Sequence, residues 1–115
     1  MTYTDAISAR LIALADPTRR AIIDRLRGGA LPVCEIACDL PVSRPAVSQH
    51  LRVLSDAGLL VMTPQGNRRL YAIAPEGVAG LRLYLDSLWD DALAAFAAAA
   101  RQQAETNAQS KGQTK

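Results

Sequence analysis

Residues 31–58 read LPVCEIACDLPVSRPAVSQHLRVLSDAG, and the punctuation of this stretch decides the fold. Pro32 opens a short segment in which Val33, Ile36, Ala37 and Leu40 share one stripe, and Pro41 stops it because proline has no N–H to donate. The turn is Leu40-Pro41-Val42. Ser43 then offers the short hydroxyl of a helix N-cap, Pro45 falls in a first turn where a missing N–H costs nothing, and Gly58 ends the helix. Val47, Leu51 and Leu54 mark the buried side of that helix, while Arg44, Ser48, Gln49 and Arg52 project outward. The stretch therefore predicts two helices, Leu31 to Leu40 and Ser43 to Ala57, joined by a tight turn.

Downstream the period changes. Leu59 to Thr63 and Arg69 to Ile73 are β-prone runs separated by Pro64-Gln65-Gly66-Asn67, the pattern of a β-hairpin. Upstream, Ile7, Leu11 and Leu14 recur at helical spacing over Asp5 to Ala15. Asp16 can cap a second helix of about three turns that starts at Pro17 and ends at Gly28-Gly29. Between Glu76 and Ala100 a last helix carries Leu81, Tyr84, Leu85, Leu88, Ala92 and Phe96 along one side, with Trp89 and Leu93 beside them. That face is too wide and apolar for the rim of a small monomer. Arg101 to Lys115 is polar and predicts a disordered tail, so the domain spans residues 1–100 and the tail 101–115. The fold class is mainly α with a two-stranded β-wing, a winged helix-turn-helix.

With 115 residues, 50% apolar and 21% charged, the chain has the make-up of one soluble domain. A domain of this size buries roughly 60 to 70% of its unfolded surface, so a dimer would help its small core. No apolar run is long enough to span a bilayer, and the N-terminus does not read as a signal peptide, which predicts a cytoplasmic protein. Net charge is +2, but its distribution says more. Residues 1–42 are balanced, Arg44, Arg52, Arg68 and Arg69 outweigh Asp56 in the middle, and Glu76, Asp86, Asp90 and Asp91 outweigh Arg82 toward the back. One face thus suits a polyanion and another avoids it.

A helix-turn-helix inserts the N-terminal half of its second helix in the major groove, where Gln and Arg pair with base edges and Ser bonds base or phosphate. Arg44, Ser48 and Gln49 are the candidate base readers; His50 and Arg52 suit phosphate, the free N–H groups at the start of the helix add an anion site, and Ser43 and Pro45 at that start join the candidate DNA-binding residues. Asn67, Arg68 and Arg69 sit at the hairpin tip and its exit, where a wing touches backbone or minor groove. Catalysis finds no support: Ser48 and His50 point different ways on one helix, and there is no phosphate-cradling Gly loop, nucleophile elbow or second histidine. A winged-helix module that binds another protein and no DNA is the alternative of a different class.

The runs Ala13-Leu14-Ala15-Asp16-Pro17-Thr18-Arg19-Arg20 and Ser43-Arg44-Pro45-Ala46-Val47-Ser48-Gln49-His50-Leu51, with Leu54, Ala57-Gly58-Leu59 and Arg69-Leu70-Tyr71, resemble the arsenic-repressor (ArsR/SmtB) family of bacterial winged-helix regulators. The resemblance implies an α-α-α-α-β-β-α domain and a homodimer built from the first and last helices. Ile7, Leu11, Leu14, Leu81, Tyr84, Leu85, Leu88 and Trp89 are the candidate interface. It further implies repression at a palindromic double-stranded DNA operator, released by an inducer. The family's metalloid site is a Cys-Val-Cys where this chain has Pro32-Val33-Cys34, so one thiol is missing; Cys38 lies one turn on from Cys34. The two thiols could clasp one soft ion such as arsenite, or answer to oxidation, although a cysteine at a helix edge is most often apolar filler. With His50 as its single histidine, the chain lacks the material of the family's zinc and nickel sites, and the reading without a metal or cofactor stands first.

Overall fold

Caps set the helix boundaries in the computed structural model, which describes residues 2–113. Helix α1 spans Tyr3–Ala15 and starts in a capping box: the Thr2 hydroxyl accepts the Asp5 N–H, and the Asp5 carboxylate accepts the Thr2 N–H. It begins two residues before the expected Asp5. Asp16 closes α1 and caps α2, Pro17–Arg25, accepting the Arg19 N–H at 3.0 Å, with Pro17 in the first turn. The α-helix stops at Arg25, short of Gly28, because a tighter 3-10 turn takes over Leu26–Gly28 before Gly29 at φ 132°.

The next segment departs from the sequence reading. Leu31–Pro32 form a short strand, β1, and helix α3 covers only Val33–Cys38. Strand β1 pairs antiparallel with Leu70 and Tyr71, so the sheet has three strands in the order β1-β3-β2 where a two-stranded wing was expected. Helix α4, Arg44–Asp56, follows with Ser43 accepting the Ala46 N–H and Pro45 in its first turn. Strands β2, Leu60–Gln65, and β3, Arg68–Ile73, run from Leu60 opposite Ile73 to Gln65 opposite Arg68. The hairpin turn is therefore Gly66-Asn67 alone, with Gly66 at φ 61°. Pro64 and Gln65 belong to the strand; Pro64 is tolerated because β2 is an edge.

The chain divides into two compact units, residues up to Arg82 and residues from Leu83 onward. The core of the first holds Ile22, Leu26, Ile36, Val47, Leu51, Leu54, Leu59 and Leu60. Ile7 and Leu81, expected at a dimer interface, are only 3% and 7% exposed and belong to this core. Leu81 reaches it because the first turns of helix α5, Pro75–Gln113, come close to the turn after α4: a Cβ on Gly77 would overlap the Gly58 carbonyl, and one on Gly80 would press on the Arg10 guanidinium. Arg10 in turn donates to the Ala57 carbonyl at 3.1 Å. Of the remaining interface candidates, Leu14 and Tyr84 are half-buried, and Leu11, Leu85, Leu88 and Trp89 are exposed. In the second unit α5 continues through Arg101 to Gln113, against the expected tail. Arg101-Gln-Gln-Ala-Glu consists of good helix formers, so a polar composition did not mean an unstructured one. The last two residues of that expected tail lie outside the described residues.

Candidate nucleic-acid interface

Val47, Leu51 and Leu54 are fully buried, which fixes the roll of α4 about its axis. The opposite side is then exposed by the 3.6-residue period, and Arg44, Pro45, Ser48, Gln49 and Arg52 are all on exposed positions. Gln49 points most directly away from the buried stripe. Ser43 is exposed too, but its oxygen is engaged as the cap, so its O–H is what remains to offer a ligand.

His50 is placed differently from the other candidates. It is half-buried, with Nδ1 3.4 Å from Arg19 Nη1. Because a guanidinium only donates, Nδ1 accepts in that bond, leaving Nε2 as the N–H available for phosphate. Arg19 is itself committed to the end of α1, donating from Nε to the Ala13 carbonyl at 2.7 Å and from Nη2 to the Ile12 carbonyl at 3.4 Å. Arg20 does the same for Leu14 and Ala15, both at 2.9 Å. Two cations thus satisfy carbonyls that a helix C-terminus leaves open, and they fix α2, and through His50 α4, against α1. Sequence reasoning used Asp16 and Pro17 of this run as a cap and a helix start and met Arg19 and Arg20 only within the resemblance; their signal was a pair of arginines just after a helix stop.

The wing and α4 meet in one cleft of about 210 Å³, lined by Pro32, Val33, Cys34, Arg44 and Asn67 to Arg69. Arg68 lies 3.7 Å from Glu35 Oε1, and Arg52 lies 4.0 Å from Asp56, both exposed pairs of little worth. Arg44 and Arg69 make no ion pair among the described residues. The cleft therefore carries uncompensated positive charge on both walls. Arg25 holds α3 in place from behind, bonding the Glu35 carbonyl at 2.9 Å and the Asp39 carboxylate at 3.3 Å. Cys34 lines the cleft and Cys38 ends α3; both are free and exposed. Among the described residues no three His, Cys, Asp or Glu side chains gather in a metal-binding group.

The model of the family described as bacterial regulatory protein, arsR family, matches residues 16–61, which run from the α2 cap through the helix-turn-helix into β2. The chain is 58% identical over 85 residues to the HTH-type transcriptional regulator Rv2034 of Mycobacterium tuberculosis, covering 74% of this chain and 79% of that protein. It belongs to the ArsR family. Similar solved structures include an ArsR-like transcriptional regulator from Rhodococcus sp. RHA1, 28% identical with a TM-score of 0.70 over 81% of this chain and 91% of that one. Another is a homodimeric winged helix-turn-helix DNA-binding domain from Mycobacterium bovis, 31% identical with a TM-score of 0.63 over 76% of this chain and 82% of that one. This ArsR-family chain is thus a DNA-binding transcriptional regulator with a winged helix-turn-helix fold, and none of its described helices is long and apolar enough to cross a membrane.

Proposed function

We propose that the protein is a cytoplasmic repressor that binds a palindromic operator as a homodimer, each subunit placing α4 in a major groove and the Asn67 to Arg69 turn on the flanking backbone or minor groove. The observation that carries this reading is the pair of arginines, Arg44 and Arg69, that face one cleft from helix and wing without an ionic partner among the described residues. In a folded protein two such guanidiniums repel; a DNA duplex that meets Arg69 with its phosphates and Arg44 with a base edge offsets the repulsion and releases counterions. The paired half-sites would lie about one helical turn apart, roughly 34 to 36 Å. Arg44, Ser48 and Gln49 read bases, and Ser43, Pro45, His50, Arg52, Asn67, Arg68 and Arg69 hold backbone. A gel-shift series with the DNA upstream of the protein's own gene tests this: one retarded species whose stoichiometry is two chains per site supports it, and equal affinity for that fragment and random duplex would overturn it.

A second reading adds a thiol switch to the same repressor. It is favoured by Cys34 lining the cleft that also holds Arg44 and Arg69, with Cys38 one turn away on the same exposed helix. A soft ion held there would displace DNA from its contacts. Arsenite titrated into the protein–DNA complex should then release DNA from the native protein and leave the Cys34→Ser and Cys38→Ser variants bound; identical release in all three removes the thiols from the mechanism.

A further inference from the structure

A second groove, of about 440 Å³, lies on the other side of Arg69, between α4 and the sheet. Its walls follow from two periods. Ser48, Arg52 and Ser55 stand at i, i+4 and i+7 on one side of α4, and Arg69 and Tyr71 stand two apart on one face of β3, with Met62 opposite Tyr71 in the register. Val33 lines the groove from the start of α3. The chemistry is divided: two guanidiniums and two hydroxyls, against the apolar surfaces of Val33, Met62 and the Tyr71 ring. No carboxylate lines it. The Ser55 hydroxyl is buried and bonds nothing within the described chain, although a polar group in that position normally has a partner.

We infer that this groove is an effector site for a small amphipathic monocarboxylate, whose carboxylate is held by Arg69 and Arg52 with the Ser48 hydroxyl and whose apolar body lies against Val33, Met62 and Tyr71, with Ser55 lining the groove farther along α4. Among the described residues Arg69 has no ionic partner to give up, and Arg52 gives up only an exposed one at 4.0 Å. A ligand seated there occupies Ser48, Arg52 and Arg69, which the proposed function assigns to DNA, so the two compete by mass action. The inference rests on that assignment only for its consequence; binding of the acid to the free protein stands by itself.

The test titrates the full-length, isotope-labelled protein with octanoate and phenylacetate, and with octanol and phenylethanol as uncharged controls, following backbone amide shifts. Saturable shifts at Ser48, Ser55, Arg69 and Tyr71, with a dissociation constant of about 1 mM or tighter for at least one acid, are expected. The matching alcohol should bind at least about tenfold more weakly, given the strength of charge-assisted hydrogen bonds. Arg69→Gln should erase the preference for the acid over the alcohol, and Ser55→Leu should fill the groove and abolish both; Arg69→Gln decides the matter if Ser55→Leu does not fold. At ten times its dissociation constant the acid should raise the apparent dissociation constant for DNA about tenfold for each subunit that must be free of it, on the order of a hundredfold for the proposed homodimer. Absence of saturable shifts with both acids, equal affinity for acid and alcohol, or shifts confined to a different surface such as Ile12 and Val53 would each overturn the site. Acid binding without operator binding would instead overturn the proposed function and leave the site standing.

Discussion

Gln49 sits on the α4 surface farthest from Val47, Leu51 and Leu54, where a side-chain amide can meet an adenine edge in bidentate fashion. Gln49→Ala should cost on the order of 1 to 3 kcal/mol of operator affinity and relax preference at one base pair. A binding-site selection experiment reads the relaxation; equal weakening on operator and random DNA would exclude base reading. Gly77 is a residue of a different kind, defined by what it lacks. A Cβ there meets the Gly58 carbonyl, which is backbone and cannot rotate away. Gly77→Ala should therefore destabilise the first unit by about 1 to 3 kcal/mol, measured by urea unfolding, as overpacking does elsewhere. Asp16 supplies a pH signature. The Arg19 N–H that its carboxylate accepts, with the Arg19 guanidinium charge nearby, holds its pKa below the ordinary aspartate value. A lowered pKa in the folded state means that the stabilisation is complete above the unfolded-state value and is lost as pH falls through the folded one. The stability margin of the native protein over Asp16→Ala should accordingly be constant near neutrality and shrink in the acid range below the unfolded-state pKa; a margin independent of pH would show that the carboxylate's charge contributes nothing.

The wing and α4 act as elements, and their contributions separate by salt dependence. Arg68 and Arg69 follow a two-residue turn with no apolar anchor of its own, so they can contact phosphate but are poorly fixed for reading bases. Arg68→Ala and Arg69→Ala should weaken binding to all sequences alike and reduce the slope of log affinity against log salt by about 1 each. An unchanged slope removes the wing from the contacts. How the elements were legible differs in the same way. Helix α4 announces both its ends through Ser43 and Gly58, signals that lie within the helix's own reach. Strand β1 announces nothing: Leu31–Pro32 is too short to show alternation, and it is a strand only because Leu70 and Tyr71 offer it an edge. Arg19 and Arg20 likewise announce no role until the carbonyls of α1 stand beside them.

At the scale of the whole molecule, α5 beyond Arg82 displays Leu85, Leu88, Trp89, Leu93 and Phe96 on exposed positions, Trp89 at 65% and Phe96 at 74%. Such a face asks for a partner. In the proposed homodimer, replacing Leu88 and Trp89 together by Glu should give a monomer by sedimentation velocity and abolish the two-chain complex with operator, while the first unit stays folded. A variant that still sediments as a dimer would place the interface on other residues. Leu81 fell on the same predicted stripe and proved internal, since a helical wheel ranks positions around an axis and does not say where along the axis the neighbour ends. The sequence by itself determined the helix-turn-helix, the caps and the buried and outward sides of its second helix and the presence of a hairpin wing, because each is written in residues close together in the chain and governed by backbone geometry. The third strand, the Arg10 link to Ala57, the Gly77 contact and the groove under Arg69 were decided only by the tertiary structure, because each depends on which distant segment comes to lie alongside, and that is set by packing the whole core at once.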